Sequence, residues 1–171
     1  MRRARPLWAV LVLVATLLAT TGCSLRSHTA FEVDGVRTTN DHVVVMAASC
    51  AAVVDPVPWA NMSALVSDMI HGVLARAVAE DNYLYFTEEE LRLPIQSGRL
   101  GEQYKAMLDD PACATLAIGL TLEAAIKESV GTATYTRIAG QIPVVINPRF
   151  GTWNAEDLTV DGSGSLSKAD K

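Results

Sequence analysis

Apolar residues recur every three to four positions in three long stretches of the chain. Each stretch predicts a helix with a core-facing stripe. The first has Val43, Met46, Ala47, Cys50 and Val54 behind the capping residues Thr39, Asn40 and Asp41. The second runs from about Ala60 to Asp81. Leu65, Met69, Val73, Ala77 and Glu80 lie near one line, and Val66, Ile70, Leu74 and Val78 widen the apolar face. The third opens at Asp110-Pro111, an N-cap followed by proline where no N–H is needed. It carries Leu116, Leu120, Ala124 and Lys127 beside Ile118, Leu122 and Ile126, and is expected to stop near Val130-Gly131.

Shorter elements fill the gaps. Thr87-Glu-Glu-Glu-Leu reads as a capping box, with Thr87 as N-cap and Glu90 reaching back to it. Glu102 to Leu108 predicts one or two further helical turns after the Gly98 to Gly101 break. Phe31 and Val33 alternate with polar residues before a turn at Asp34-Gly35, which predicts a small early strand. Ile142-Pro-Val-Val-Ile predicts a late one, with Pro143 where an edge strand tolerates it. Asn147-Pro-Arg-Phe-Gly reads as a structured turn, and no assignment falls on residues 131–141. The fold class expected is mainly α, a helical domain clamped by a small two-stranded sheet of early and late strands.

The N-terminus has a different pattern. Arg2, Arg3 and Arg5 precede an apolar run from Leu7 to Ala19 and the exit Thr20-Thr21-Gly22-Cys23. A span needs about 20 apolar residues. This run is shorter, and a basic start with a small-residue exit marks an export signal. Gly22-Cys23 resembles the lipobox of bacterial lipoproteins, with Thr20 where that motif usually has leucine. The resemblance implies a diacylglycerol on Cys23. An ordinary secretory signal with an incidental cysteine is the other reading. The expected organisation is a signal peptide at 1–22, a lipidated tether at 23–29, a helical domain at 30–156 and a flexible tail at 157–171. The place of work is the extracytoplasmic face of a bacterial cell membrane, or outside the cell if Cys23 carries no lipid. Acyl chains contribute about 0.8 kcal/mol per buried methylene.

Charge then narrows the partners. Losing Arg2, Arg3 and Arg5 from 14 basic residues leaves 11 against 19 acidic, a net of −8. With no basic cluster in the remainder, nucleic acid is not expected. Export makes a disulfide between Cys50 and Cys113 chemically permissible. Two buried free thiols are the alternative.

Candidate chemistry is thin. No nucleophile elbow, phosphate loop or paired-histidine motif is present, and no cofactor, metal site or catalytic residue is expected. His28, His42 and His71 share no ligand register with the cysteines. His71, inside the second helix, reads as a satisfied or polar-face histidine. Glu88, Glu89 and Glu90 complement a helix start rather than forming an acid–base pair. Asn61-Met-Ser matches a glycosylation sequon, which a bacterial signal makes unimportant. What stands out is apolar material at helix breaks: Trp59, Met62 and Met69 around one end of the second helix, Tyr83, Leu84, Tyr85 and Phe86 after the other. Either these build core, or they form a groove of adaptable side chains for polypeptide clients.

The order of segments resembles the SurA-type periplasmic chaperone family. Phe31-Glu-Val-Asp-Gly-Val-Arg-Thr-Thr is similar to its opening, which places Val33 and Gly35 in the motif. Leu65 to Asn82 is similar to its long helix, and Thr87-Glu-Glu-Glu-Leu to its capping segment. Val145-Ile-Asn-Pro-Arg-Phe-Gly-Thr-Trp is similar to the ending of SurA-like lipoproteins of actinobacteria, through Asn147, Pro148, Arg149 and Gly151. Asn82 departs from a common glycine, and Tyr85-Phe86 from a plainer pair. The resemblance implies a SurA N-like (trigger-factor C-like) helical domain without the parvulin isomerase domain, since residues 91–142 leave room only for helices. It implies a non-enzymatic, membrane-tethered holdase for unfolded or assembling exported polypeptides. An accessory lipoprotein serving one partner of an envelope complex is the alternative, and a divergent prolyl isomerase lacks the polar cluster it would need.

Overall fold

Asp34 and Gly35 adopt left-handed backbone, φ +47° and +80°. That twist matches a tight hairpin and turns β1 (Thr29–Val33) back into β2 (Val36–Thr39). In the computed structural model, which describes residues 28–56 and 59–162, six helices follow. They are α1 (Asn40–Val53), α2 (Met62–Asp81), α3 (Glu88–Gln96), α4 (Glu102–Met107), α5 (Pro111–Val130) and α6 (Thr132–Ala139). Three short strands close the domain: β3 (Val144–Ile146), β4 (Thr152–Asn154) and β5 (Thr159–Asp161).

The caps behave as the side chains dictate. Thr39 caps α1 by accepting from the His42 N–H at 3.1 Å. Asn61, the sequon asparagine, caps α2 by accepting from the Ala64 N–H at 3.0 Å. Thr87 and Glu90 form the reciprocal box at α3, and Asp110 caps α5 through two N–H groups. α6 is the helix that the sequence leaves unassigned. It starts straight after Gly131, at φ +85°, with no side-chain cap, so local signals do not announce it.

The early and late strands pair, Phe31 opposite Ile146 and Val33 opposite Val144. Because the early strand is itself half of a hairpin, the sheet has three strands, ordered β2-β1-β3. Asn147 anchors the late strand. Its backbone N–H donates to Ala30 and its side-chain Nδ2 to the Thr29 carbonyl, while its Oδ1 accepts from the Arg149 N–H. The Asn147-Pro148-Arg149 turn thereby sends buried Phe150 into the core, where the Ser63 hydroxyl donates to its carbonyl.

The expected tail needs a correction. Residues 159–161 pair with β4, and Leu158 is 3 % exposed. An apolar leucine just before a Gly- and Ser-rich stretch is held by the helices under it, not by local propensity. Residues 163–171 lie outside the described residues, as do Cys23 and the whole signal segment.

The core gathers on the crossing of α2 and α5. Gly72 and Gly119 meet there, and a Cβ on Gly119 would lie 3.0 Å from the Gly72 Cα. The two helices therefore touch backbone to backbone. Phe31, Val43, Met46, Val66, Ile70 and Leu74 fill the space on one side, and Val78, Leu122, Ile126 and Tyr135 that on the other. Each such burial contributes about 1.5–3 kcal/mol. Cys50 and Cys113 face each other across α1 and α5 with an S–S distance of 2.11 Å, so the bridged reading holds.

Gly151 sits at φ +132°, with the Asp161 carbonyl oxygen where a Cβ would be. Gly151→Ala is expected to cost about 2 kcal/mol in urea unfolding, through overpacking and a disallowed backbone together. A change of only a few tenths would mean that β5 is not held against the start of β4 at Asp161.

Candidate functional site

α2 ends abruptly, and its ending builds the site. The Asn82 side chain donates to the Val78 carbonyl at 2.8 Å, and the Leu84 N–H to the Ala79 carbonyl at 2.9 Å. Tyr83 takes the left-handed position between them, φ +54°, where glycine is the usual residue. The chain then runs extended to Thr87, so side chains alternate. Leu84 and Phe86 turn inward onto the second core cluster. Tyr83 and Tyr85 turn outward, 79 % and 84 % exposed.

Behind this segment a groove of about 570 Å³ opens between α2, α3 and the start of α5. Ala79, Leu84, Phe86, Leu91, Ile118 and Leu122 supply its apolar lining, and Arg76, Glu80, Glu88 and Arg92 its charged one. Arg92 Nε and Glu88 Oε1 pair at 2.8 Å. Leu93, also exposed on α3, is not among the residues that line the groove.

The candidate client residues divide between two places. Tyr85 and Phe86 line the groove, with Tyr83 next to them. Met69 is 7 % exposed, and Trp59 and Met62 pack half-buried on the main core. The Trp59 indole N–H donates to Asp68 Oδ2 at 2.7 Å. These three belong to the core, where a helix-spaced methionine and a hydrogen-bonded indole are ordinary. Of the family-motif residues, Val33 is core, Gly35 is the hairpin turn, Thr87 is the α3 cap, and Asn147 to Gly151 form the turn into β4.

A second polar constellation went unread in the sequence. His71 on α2 places Nδ1 2.7 Å from Glu123 Oε1 on α5 and Nε2 2.6 Å from the Leu158 carbonyl oxygen. Lys127 Nζ reaches the same Glu123 oxygen at 2.8 Å and lies 5.1 Å from the Tyr135 ring centroid. Trp153 stands edge-on to the imidazole, centroids 6.3 Å apart. Burial acts to lower the His71 pKa, but the Glu123 hydrogen bond and charge outweigh it and leave it raised. Burial acts to raise Glu123, and its two cations leave it lowered. Burial pushes up Asp68, despite the Trp59 bond, and also Tyr104 and Tyr135. This cluster lies outside the groove lining and fastens the C-terminal hairpin to α2. Only an α2/α5 contact 52 residues apart in the chain makes it visible.

The described residues thus define a mainly helical domain with two small antiparallel sheets and one apolar groove. Among them, α2 alone is long and apolar enough to cross a membrane, and half of its apolar window is buried in the core. No group of three or more His, Cys, Asp or Glu side chains among them is placed to hold a metal ion. Compared with family models, curated proteins and solved structures, the chain matches none.

Proposed function

We propose that this protein is a lipid-tethered, extracytoplasmic holdase that takes up exposed apolar segments of unfolded or assembling exported polypeptides, without catalysis. One observation carries the reading: an apolar-lined groove with Tyr85 on its lining and Tyr83 next to it, both left in water. Large apolar side chains exposed together around a concave site favour an interaction surface over a solvated one. Tyrosine supplies wide contact area at a small entropy cost. The net negative charge keeps a domain with such a surface soluble. Cys23 would supply the tether, and β3, at the edge of its sheet, would offer backbone groups to an extended client.

The test is aggregation suppression, followed by light scattering with two unrelated denatured exported proteins. The oxidised wild type is expected to suppress both near stoichiometry. Tyr83→Gly with Tyr85→Ser is expected to weaken suppression several-fold. Its stability should be unchanged or slightly higher, because glycine relieves a left-handed residue that costs about 1 kcal/mol. No suppression by folded wild-type protein would sink the holdase reading. Tight, stoichiometric binding to a single folded envelope partner would replace it with an accessory lipoprotein.

A further inference from the structure

A smaller cavity of about 170 Å³ adjoins the groove, and Arg76, Thr115 and Gly119 line both. It exists because Gly72 and Gly119 bring α2 and α5 together without side chains to fill the angle between them. Phe31, Met46, Met69, Val73 and Leu116 line it. Among the described residues, its only ionisable lining residues are Arg76 and His42, in a chain whose net charge is −5. Among the described residues Arg76 has no ion-pair partner, although Glu80 lines the groove nearby. The cavity is therefore apolar inside, basic at its ionisable positions, and continuous with a polypeptide-sized groove.

We propose that the small cavity receives the C-terminal residue of a bound polypeptide. The last side chain enters among Met46, Met69 and Phe31, the α-carboxylate pairs with the Arg76 guanidinium, and the preceding residues lie along the groove. Size selects the occupant. A dry cavity of about 150 Å³ takes up one benzene-sized group, so this one suits a single leucine- or phenylalanine-like side chain rather than an acyl chain. Charge selects the end of the polypeptide. A guanidinium not already engaged in an ion pair binds a planar carboxylate through two parallel hydrogen bonds, and an internal peptide bond offers no such group. Methionine walls let residues of different shape enter. This rests on the groove being a polypeptide site and adds where, and by which end, the polypeptide is held.

The experiment titrates the purified protein into a short neutral peptide that ends in leucine and carries an N-terminal fluorophore, prepared as the free acid and as the amide. The free acid is expected to bind about tenfold more tightly than the amide. Arg76→Gln should abolish that difference, and Arg76→Lys should restore part of it. Equal binding of acid and amide would overturn the terminus proposal and leave the groove reading standing. No binding of either would overturn both. Displacement of the peptide by decanoate at lower concentrations than by unlabelled free-acid peptide would assign the cavity to a lipid and overturn the proposal.

Discussion

Replacing Cys50 and Cys113 together by alanine is expected to lower stability by about 4 kcal/mol, the chain-entropy value for the 63-residue separation they span. Both thiols are fully buried. They join the last turn of α1 to the first turn of α5, and the first turns of α5 form one wall of the groove through Pro111, Ala114 and Thr115. Without the bridge the unfolded chain regains the freedom that the crosslink removed, and the native contacts have to offset it. Urea unfolding of the oxidised protein, the reduced protein and the double variant measures this directly. The reduced protein and the variant should unfold at similar midpoints well below the oxidised one. Coincident midpoints for oxidised and reduced protein would mean that the crosslink contributes nothing. Since a reducing cytoplasm would hold the chain in its weaker form, the same experiment bears on where the protein is built to work.

His71→Leu is expected to cost about 3 kcal/mol near pH 6, and the cost should shrink as the pH rises. Both partners of the imidazole, a carboxylate and a backbone carbonyl, only accept hydrogen bonds. An imidazolium, with both ring N–H groups able to donate, fits this pair, and the raised pKa favours that form. Removing it leaves Glu123 with Lys127 alone and the Leu158 carbonyl without its donor, and breaking a buried pair from one side is costly. The His71 pKa is raised above its ordinary 6.5. Its contribution is thus complete below about pH 6.5 and is lost as the pH climbs through the raised folded value. Glu123 is lowered from 4.5, so its contribution is complete above about pH 4.5 and is lost as the pH falls through the lowered value. The latch on the C-terminal hairpin is strongest between those limits. The His71 charge acts to lower Asp68, held by Trp59 one helical turn earlier, and Lys127 acts against the charge on His71. Urea unfolding of wild type and variant between about pH 5.5 and 9 gives the difference at each pH. A difference that stays flat across that range would show that His71 is neutral in the fold and only fills space.

Short-range chemistry was legible wherever a side chain acts on its own neighbourhood. Thr39, Thr87 and Asp110 start their helices as their side chains require, and Asp34-Gly35 turns the hairpin. Gly131 stops α5 as expected, yet the same residue opens α6 without a side-chain cap, so nothing local signals that helix. The α5 face was read less well. Ala124 is exposed while Gly119, Thr121 and Glu123 are buried. A small residue scores as weakly apolar and a glutamate as a surface group, so the hydrophobic pattern points the helix slightly the wrong way. Burial there is decided by Gly72 and His71 across the crossing, which bring a backbone and a cation that no pattern along α5 contains.

The same division applies to the site. That an aromatic segment follows α2 was visible in its composition, and periodicity marked Met69 for the core. Which aromatics face water was decided by the left-handed turn at Tyr83, which sets the alternation of the four residues after Asn82. Leu158 was assigned to a tail because a Gly- and Ser-rich stretch follows it from Gly162, and it is buried because His71 holds its carbonyl and the residues after it pair with β4. By itself the sequence determined five of the six helices, the caps at Thr39, Thr87 and Asp110, the presence of an early and a late strand and the chemical permission for a disulfide, since each depends on neighbours a few residues apart or on the chemistry of a single residue type. The tertiary structure alone decided the groove, the cavity beneath Arg76 and the His71–Glu123 latch. Each of these is made where α2 crosses α5, by the contact of residues that are distant in the chain.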